Sequence, residues 1–314
     1  INPQTTNWQV SYDGRRNEPI CLPVKFPLVL AQGVEGIAVG LATKILPHNF
    51  VELIQASIKV LEGKKFKLYP DFQTGGMMDA GDYQSGLRGG KIRVRVKIDK
   101  LDKSTLVIRE IPYGVTTGTL MESIVKASEK GQIKIKKLSD NTAAEVEVLI
   151  ELQPGVSPDQ TIDALYAFTQ CETSISPNSC VIIDNKPVFL AVEEILRQST
   201  FYTQELLRQE LTIRLGELQE KWHFASLEKI FIEKRIYRDI EECETWEDVI
   251  DVIGLGLAKY IATPSSKTKA DKRLLLHRDI TVEDIQRLTE IRIKRISKYN
   301  SFQADELILG IETE

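Results

Sequence analysis

The sequence has little of what metal and redox chemistry draw on. Only four of its 314 residues are cysteine and three are histidine. Cys21, Cys171, Cys180 and Cys243 are scattered without a CxxC pair, which fits a reducing cytoplasm and argues against a zinc site. His48, His223 and His277 are never paired at ligand spacing, so no metal ligand is assigned. No apolar run approaches the roughly 20 residues that cross a bilayer, and no secretory signal opens the chain, so a membrane partner is not expected. Excess charge is missing too. The 41 Lys plus Arg face 45 Asp plus Glu, net −4, so any nucleic-acid surface must be local. No GKS or GKT follows the glycine-rich stretches at Gly75-Gly76 and Gly89-Gly90, which excludes a Walker-type phosphate cradle. The chain opens on Ile1 rather than Met, from which we expect an excised fragment.

What is present centres on Gly33 to Asn49, GVEGIAVGLATKILPHN. Gly36 allows a sharp turn or a close approach just before Ile37. A segment this rich in glycine cannot bury Ile37, Ala38 and Val39 together. One reading is a tight turn packed in a core. The other is a loop that offers one aliphatic side chain to something outside, of which an apolar wedge between base steps is one use. Asn49 is expected to cap a helix over 50–62, with Leu53, Ile54, Ile58 and Leu61 as its apolar stripe and Gly63 as its stop.

Tyr12-Asp13-Gly14, then Leu22-Pro23-Val24-Lys25-Phe26-Pro27, then GIAVGLAT and PHN, resemble the A subunit of bacterial type IIA DNA topoisomerases, gyrase and topoisomerase IV. The likeness runs more weakly to the C-terminus. In that family the isoleucine of GIAVG intercalates into the gate DNA and kinks it; Ile37 is the matching residue. The resemblance implies double-stranded DNA, a homodimer, and an ATPase B subunit that carries ATP and Mg²⁺, as partners. Neither cofactor is expected on this chain.

Along the rest of the chain, residues 1–30 read as extended and proline-punctuated, where Arg15, Arg16 and Lys25 either meet phosphates or are simply solvated. From Lys91 the period becomes two. Lys91, Arg93, Arg95 and Lys97 share one face of a strand, opposite Ile92, Val94, Val96 and Ile98. Four like charges in a row repel one another. Phosphate relieves that; so do acidic neighbours on the next strand. Further on, Lys134 and Lys136 alternate with Ile133 and Ile135, and Glu145, Glu147 and Glu151 are candidates for an acidic face that balances the lysines. A hairpin turn at 101–104, a return strand over 105–111, a helix over 117–130 with Leu120, Ile124 and Val125 inward, strands near 133–136 and 145–151, a helix over 158–168 and a strand with a turn at 184–186 make an α+β module. In the family this is the tower beside the bent DNA. The expected divisions are a tower over 1–186, a long connecting helix over 187–239, a helical C-gate dimerisation domain over 240–300, and the start of a returning helix over 301–314. Between Val188 and Asp239 the only Gly or Pro is Gly216, and Leu211, Leu215, Leu218 and Trp222 step at coiled-coil spacing for barely two heptads. Trp246, Val249, Ile250 and Ile253 make a stripe expected to end at Gly254, and Thr263–Lys272 reads as a polar loop.

No catalytic residue is assigned. The family's nucleophile is a tyrosine in an arginine-tyrosine-threonine-glutamate string, and no such string occurs here. Tyr12 and Tyr113 lie in motifs whose tyrosines are not nucleophiles, and a phenol near pKa 10 needs an activating neighbour. The DNA-facing residues implied are Ile37, Gly36, Lys25, Lys44, His48, Asn49, Arg88, Lys91, Arg93 and Arg95. The competing expectation is a non-enzymatic DNA-architectural or scaffold protein.

Overall fold

The computed structural model describes residues 2–265, 273–297 and 301–314. Most of the polar loop expected at Thr263–Lys272 and the 300/301 division lie outside them. The fold mixes helix and sheet, in keeping with the α+β expectation. It forms two compact units, Ile1–Leu206 and Leu207–Glu314. The boundary falls inside the long helix, whereas the sequence places breaks at 186/187 and 239/240. The reason is that this helix gives its first turns to one core and its last turns to another.

In the first unit, β1 (Trp8–Val10) and β2 (Asn17–Pro19) form a hairpin, and a short helix α1 (Leu28–Gln32) follows where only extended chain is expected. The stretch Gly33–Asn49 then makes a second hairpin, β3 (Val34–Ala38) and β4 (Leu41–Ile45), turning at Val39-Gly40 with Gly40 at φ +76°, a conformation that favours glycine. Asn49 caps α2 (Phe50–Leu61), its side-chain oxygen accepting from the Val51 and Glu52 amides at 3.0 and 3.3 Å. The face α2 buries differs from the expected stripe. Leu53 and Ala56 are buried, while Ile54, Ile58 and Leu61 are exposed.

The basic strand also differs. β6 (Ile92–Arg95) is the centre of a three-stranded antiparallel sheet between β5 (Met77–Asp79) and a later strand at Glu172–Ile175. The chain leaves that sheet at Val96, whose amide donates to the Cys171 carbonyl at 2.8 Å. β7 (Lys97–Lys100) belongs instead to a second sheet with β8 (Thr105–Glu110). Lys97 is therefore not on one strand with Arg93 and Arg95. The second sheet has the order β7-β8-β10-β9, with β9 (Ile135–Asp140) and β10 (Val148–Leu152), and α3 (Thr117–Glu129) and α4 (Pro158–Phe168) add apolar side chains to its core. Leu120, Ile124, Leu165, Leu106, Ile108, Val148 and Ile150 are buried there; Val125, expected inward, is exposed. After β11 (Glu172–Ile175), β12 (Cys180–Ile183) and β13 (Lys186–Phe189) form a hairpin turned by Asp184 and Asn185, both at positive φ, as a two-residue type I′ turn requires.

The long helix α5 (Val192–Glu233) runs 42 residues without a break at Gly216. Val192 and Leu196 are buried with the first unit's core, and Trp222, Leu227 and Phe231 with the second's. Leu211 and Leu215, expected in a coiled-coil seam, are exposed. Arg235, in the left-handed region at φ 56°, ends the helical path. In the second unit α6 (Trp246–Ala258) runs past Gly254, so the stripe does not stop there. Then come α7 (Val282–Thr289), α8 (Ile293–Ser297) and α9 (Ser301–Thr313). α9 runs antiparallel to the end of α5: Ser301 meets Glu233, Asp305 meets Lys229, and the Trp222 indole donates to Glu312 at 2.7 Å.

Candidate nucleic-acid interface

The hairpin that carries Ile37 settles one of the two readings of its sequence. Ile37 is 92% exposed and Val39 fully so; neither belongs to a core. Ile37 pairs with Ala42, and Gly36 with Thr43, so Ile37 stands on the first strand two residues before the turn residue Val39. The second strand of the hairpin is tied down. Lys44 and Asn178 exchange main-chain hydrogen bonds at 2.9 and 3.0 Å. The Asn178 amide nitrogen donates to the Ala42 carbonyl at 2.6 Å. The Thr43 hydroxyl donates to the Cys180 carbonyl at 2.8 Å and accepts from the Cys180 amide at 3.2 Å. Between the hairpin and β12–β13 lies an open apolar cleft of about 370 Å³, with Ile37, Leu41, Cys180, Ile182 and Pro187 among its walls.

The basic strand is already neutralised in part. Arg93 pairs with Asp79 at 2.6 Å on β5, and Arg95 with Glu172 on β11. The Arg95 guanidinium also lies over the Tyr166 ring at 4.9 Å. Lys97 pairs with Glu110 at 3.5 Å. The acidic neighbours of this strand lie on β5, β8 and β11; of the glutamates expected to balance lysines, Glu151 does meet Lys136 at 3.6 Å, whereas Glu147 meets Arg109. Repulsion along the strand therefore does not call for phosphate. Arg88 and Lys91 are exposed and have no ion pair among the described residues.

The other expected residues divide in the same way. Lys25 is exposed. Lys44 is half-buried and pairs across the hairpin with Glu35 at 3.1 Å. Asn49 is occupied as a cap, and its amide donates to Asp71 at 2.9 Å. His48 is not at the surface. It is 4% exposed, with Nδ1 3.3 Å from the Leu30 carbonyl and Nε2 3.4 Å from the Tyr83 hydroxyl. Nδ1 then donates and Nε2 accepts. Burial lowers its pKa, so it is a neutral anchor for the chain leaving the hairpin and not a phosphate contact. Tyr113 stacks on Phe72 at 4.8 Å between ring centres, a packing role. The doublet Gly75-Gly76 has a structural use that sequence did not reveal. Gly76 donates its amide to the Glu110 carboxylate at 2.7 Å, and a Cβ there would lie 2.7 Å from the Arg95 carbonyl. Asn178 and Thr43 were not legible as site residues, because their role depends on two segments 135 residues apart meeting. Among the described residues no group of three or more His, Cys, Asp or Glu could hold a metal ion, and no helix is long and apolar enough to cross a membrane.

Comparison with known proteins agrees with the motifs. The sequence model of the family described as the A subunit of DNA gyrase/topoisomerase IV matches residues 1–314. The chain is 38% identical over 297 residues to the DNA topoisomerase 4 A subunit of Borreliella burgdorferi, covering 95% of this chain and 45% of that protein. It is 28% identical to the DNA gyrase A subunit of Lawsonia intracellularis, covering all of this chain and 38% of that one. To the DNA gyrase A subunit of Neisseria gonorrhoeae it is 31% identical, over 72% of this chain and 27% of that one. The chain thus spans less than half the length of these relatives. From its GIAVG hairpin to its last helix, it belongs to the family of DNA gyrase and topoisomerase IV A subunits.

Proposed function

We propose that this chain is the part of a type IIA topoisomerase A subunit that bends the gate DNA and dimerises. The observation that carries it is an isoleucine 92% exposed at the end of a braced hairpin. A free isoleucine side chain gains roughly 1.5–3 kcal/mol on leaving water. Opening a base step costs a few kcal/mol, offset by that gain and by the extra contacts of a bent duplex. Ile37 enters the step while Arg88, Lys91 and Lys25 meet phosphates. Arg93 and Arg95 contribute by exchanging carboxylate partners for phosphate. Residues 1–186 serve as the tower, and the helical region after α5 as the C-gate through which two copies pair. The parent enzyme changes DNA topology in the cytoplasm, with ATP and Mg²⁺ on its B subunit. Without an arginine-tyrosine-threonine-glutamate string, this chain does not cleave DNA alone.

The direct test is the bend. Energy transfer between dyes at the ends of a duplex is expected to rise when the chain binds, and far less with Ile37→Ala, at an affinity within a few-fold of the parent. Equal bending by the two chains refutes the wedge. Relaxation of supercoiled DNA by this chain alone refutes its inactivity.

A further inference from the structure

A wedge is effective only if it yields less readily than the base stack it enters. An isolated two-stranded hairpin is marginally stable in water, and β3–β4 also contains Gly36 and ends its turn on Gly40. Its tip carries no core residue, since Ile37, Ala38, Val39, Leu41 and Ala42 are all exposed. What holds it is one segment, 178–180, laid along the outer edge of β4. That segment makes the Lys44–Asn178 main-chain bridge, the Asn178 side-chain bond to Ala42, and the two-way bond between Thr43 and Cys180. The register decides what this does. Ala42 faces Ile37 and Thr43 faces Gly36, so the two side-chain contacts fall on the rung that carries the isoleucine and on the rung that hinges it. The brace also reaches toward the basic strand. Segment 178–180 follows β11 after two residues, and β11 pairs with β6, setting Ile175 against Ile92 and Ser174 against Arg93. Asn178 has a further mark of a residue kept for geometry: its Oδ1 is buried with no hydrogen-bond partner while its Nδ2 is used.

We propose that Asn178 and Thr43 are positioning residues for intercalation, making the hairpin stiff enough for Ile37 to open a base step. This rests on the wedge reading. Neither side chain touches DNA. Their loss lets the hairpin lean away under the load of the stack, so binding persists while opening declines.

The experiment places 2-aminopurine, whose fluorescence rises on unstacking, at the bent step of a duplex and titrates it with the chain. Thr43→Val keeps the shape and removes the hydroxyl; Thr43→Ser restores the hydroxyl; Asn178→Ala removes the second tie. Ile37→Ala reports on the wedge itself. Asn178→Ala is expected to lower the unstacking signal at saturation about fivefold, the size of one lost hydrogen bond, and Thr43→Val, which loses both bonds to Cys180, by at least as much. Dissociation constants from anisotropy should stay within about threefold, and Thr43→Ser should match the parent. If Ile37→Ala abolishes the signal but Thr43→Val and Asn178→Ala both equal the parent, the brace is overturned and the wedge stands. If Ile37→Ala leaves the signal unchanged, the wedge fails and the brace with it. If Thr43→Ser loses as much as Thr43→Val, the hydroxyl is not the agent and the proposal for Thr43 is overturned. Circular dichroism melts of each variant separate leaning from unfolding; a variant that has unfolded cannot keep parental affinity.

Discussion

Replacing Asp284 by alanine should unfold the second unit far more readily than replacing Glu220, although both carboxylates grip the same arginine. Arg278 forks to Glu220 at 2.7 and 2.8 Å and to Asp284 at 2.6 and 2.9 Å. The two ends differ in burial: Asp284 has 3% of its side chain exposed and Glu220 more than half. Asp284 also closes a capping box with Thr281 at the start of α7, and His223 from α5 lies 3.4 Å from it. Burial alone would raise the Asp284 carboxyl, but hydrogen bonds from Arg278 and Thr281 outweigh it and hold the group well below the usual carboxylate range. Loss of the cap costs about 1 kcal/mol, and loss of a charged hydrogen-bond pair about 1.5–3 kcal/mol, at the lower end because Arg278 keeps Glu220. The sum is about 2.5 kcal/mol, or roughly 10–20 °C in Tm for a unit of this size. Glu220→Ala should cost under about 1 kcal/mol, since an exposed pair is screened by water. Trp222 reports the transition by fluorescence: it is 8% exposed and packed edge-on to His277 at 4.9 Å, whereas Trp8 and Trp246 are both exposed. Equal destabilisation by the two variants would refute this assignment of the energy to the buried end.

Other outcomes follow from the same geometry. His48 and His223 are both held below the ordinary imidazole pKa, first by burial, so as pH drops below about 6.5 the unfolded chain binds protons that the folded one does not. Urea midpoints should therefore fall between pH 7 and pH 5, and His48→Gln should flatten that fall; a midpoint independent of pH would contradict both burial assignments. Asp79→Asn and Glu172→Gln free Arg93 and Arg95, so DNA affinity should rise and the salt slope steepen by about one for each arginine released. An unchanged slope would mean that those arginines never reach phosphate. Gly76→Ala forces a side chain onto a backbone at φ +94° and against the Arg95 carbonyl. It should cost more than about 2 kcal/mol in a denaturant titration; Gly216→Ala, in open helix, should instead stabilise by up to about 1 kcal/mol.

Local chemistry was readable from the chain alone. Asn49 as a cap, Pro158 opening a helix that ends at Phe168, the unbroken run that becomes α5 and the alternation of β10 each depend on neighbours within a few residues, where backbone sterics and period decide the outcome. The family likeness came from ordered short motifs, which are equally local. Tertiary contact decided the rest. Alternating Lys91 to Ile98 look like one strand, yet the chain changes sheets after Val96: its amide still bonds to Cys171, 75 residues later, in line with the β6–β11 pairing, while Lys97 onward pairs with β8. Ile54, Ile58 and Leu61 repeat like a core stripe, but the space under α2 admits Leu53 and Ala56 instead. His48 became an anchor because Leu30 and Tyr83 close around it. The carboxylates that neutralise Arg93 and Arg95 were set by which strands lie beside β6, and the brace on the Ile37 hairpin by where residue 178 comes to rest. Periodicity says which residues share a face; only the packed fold says what that face meets.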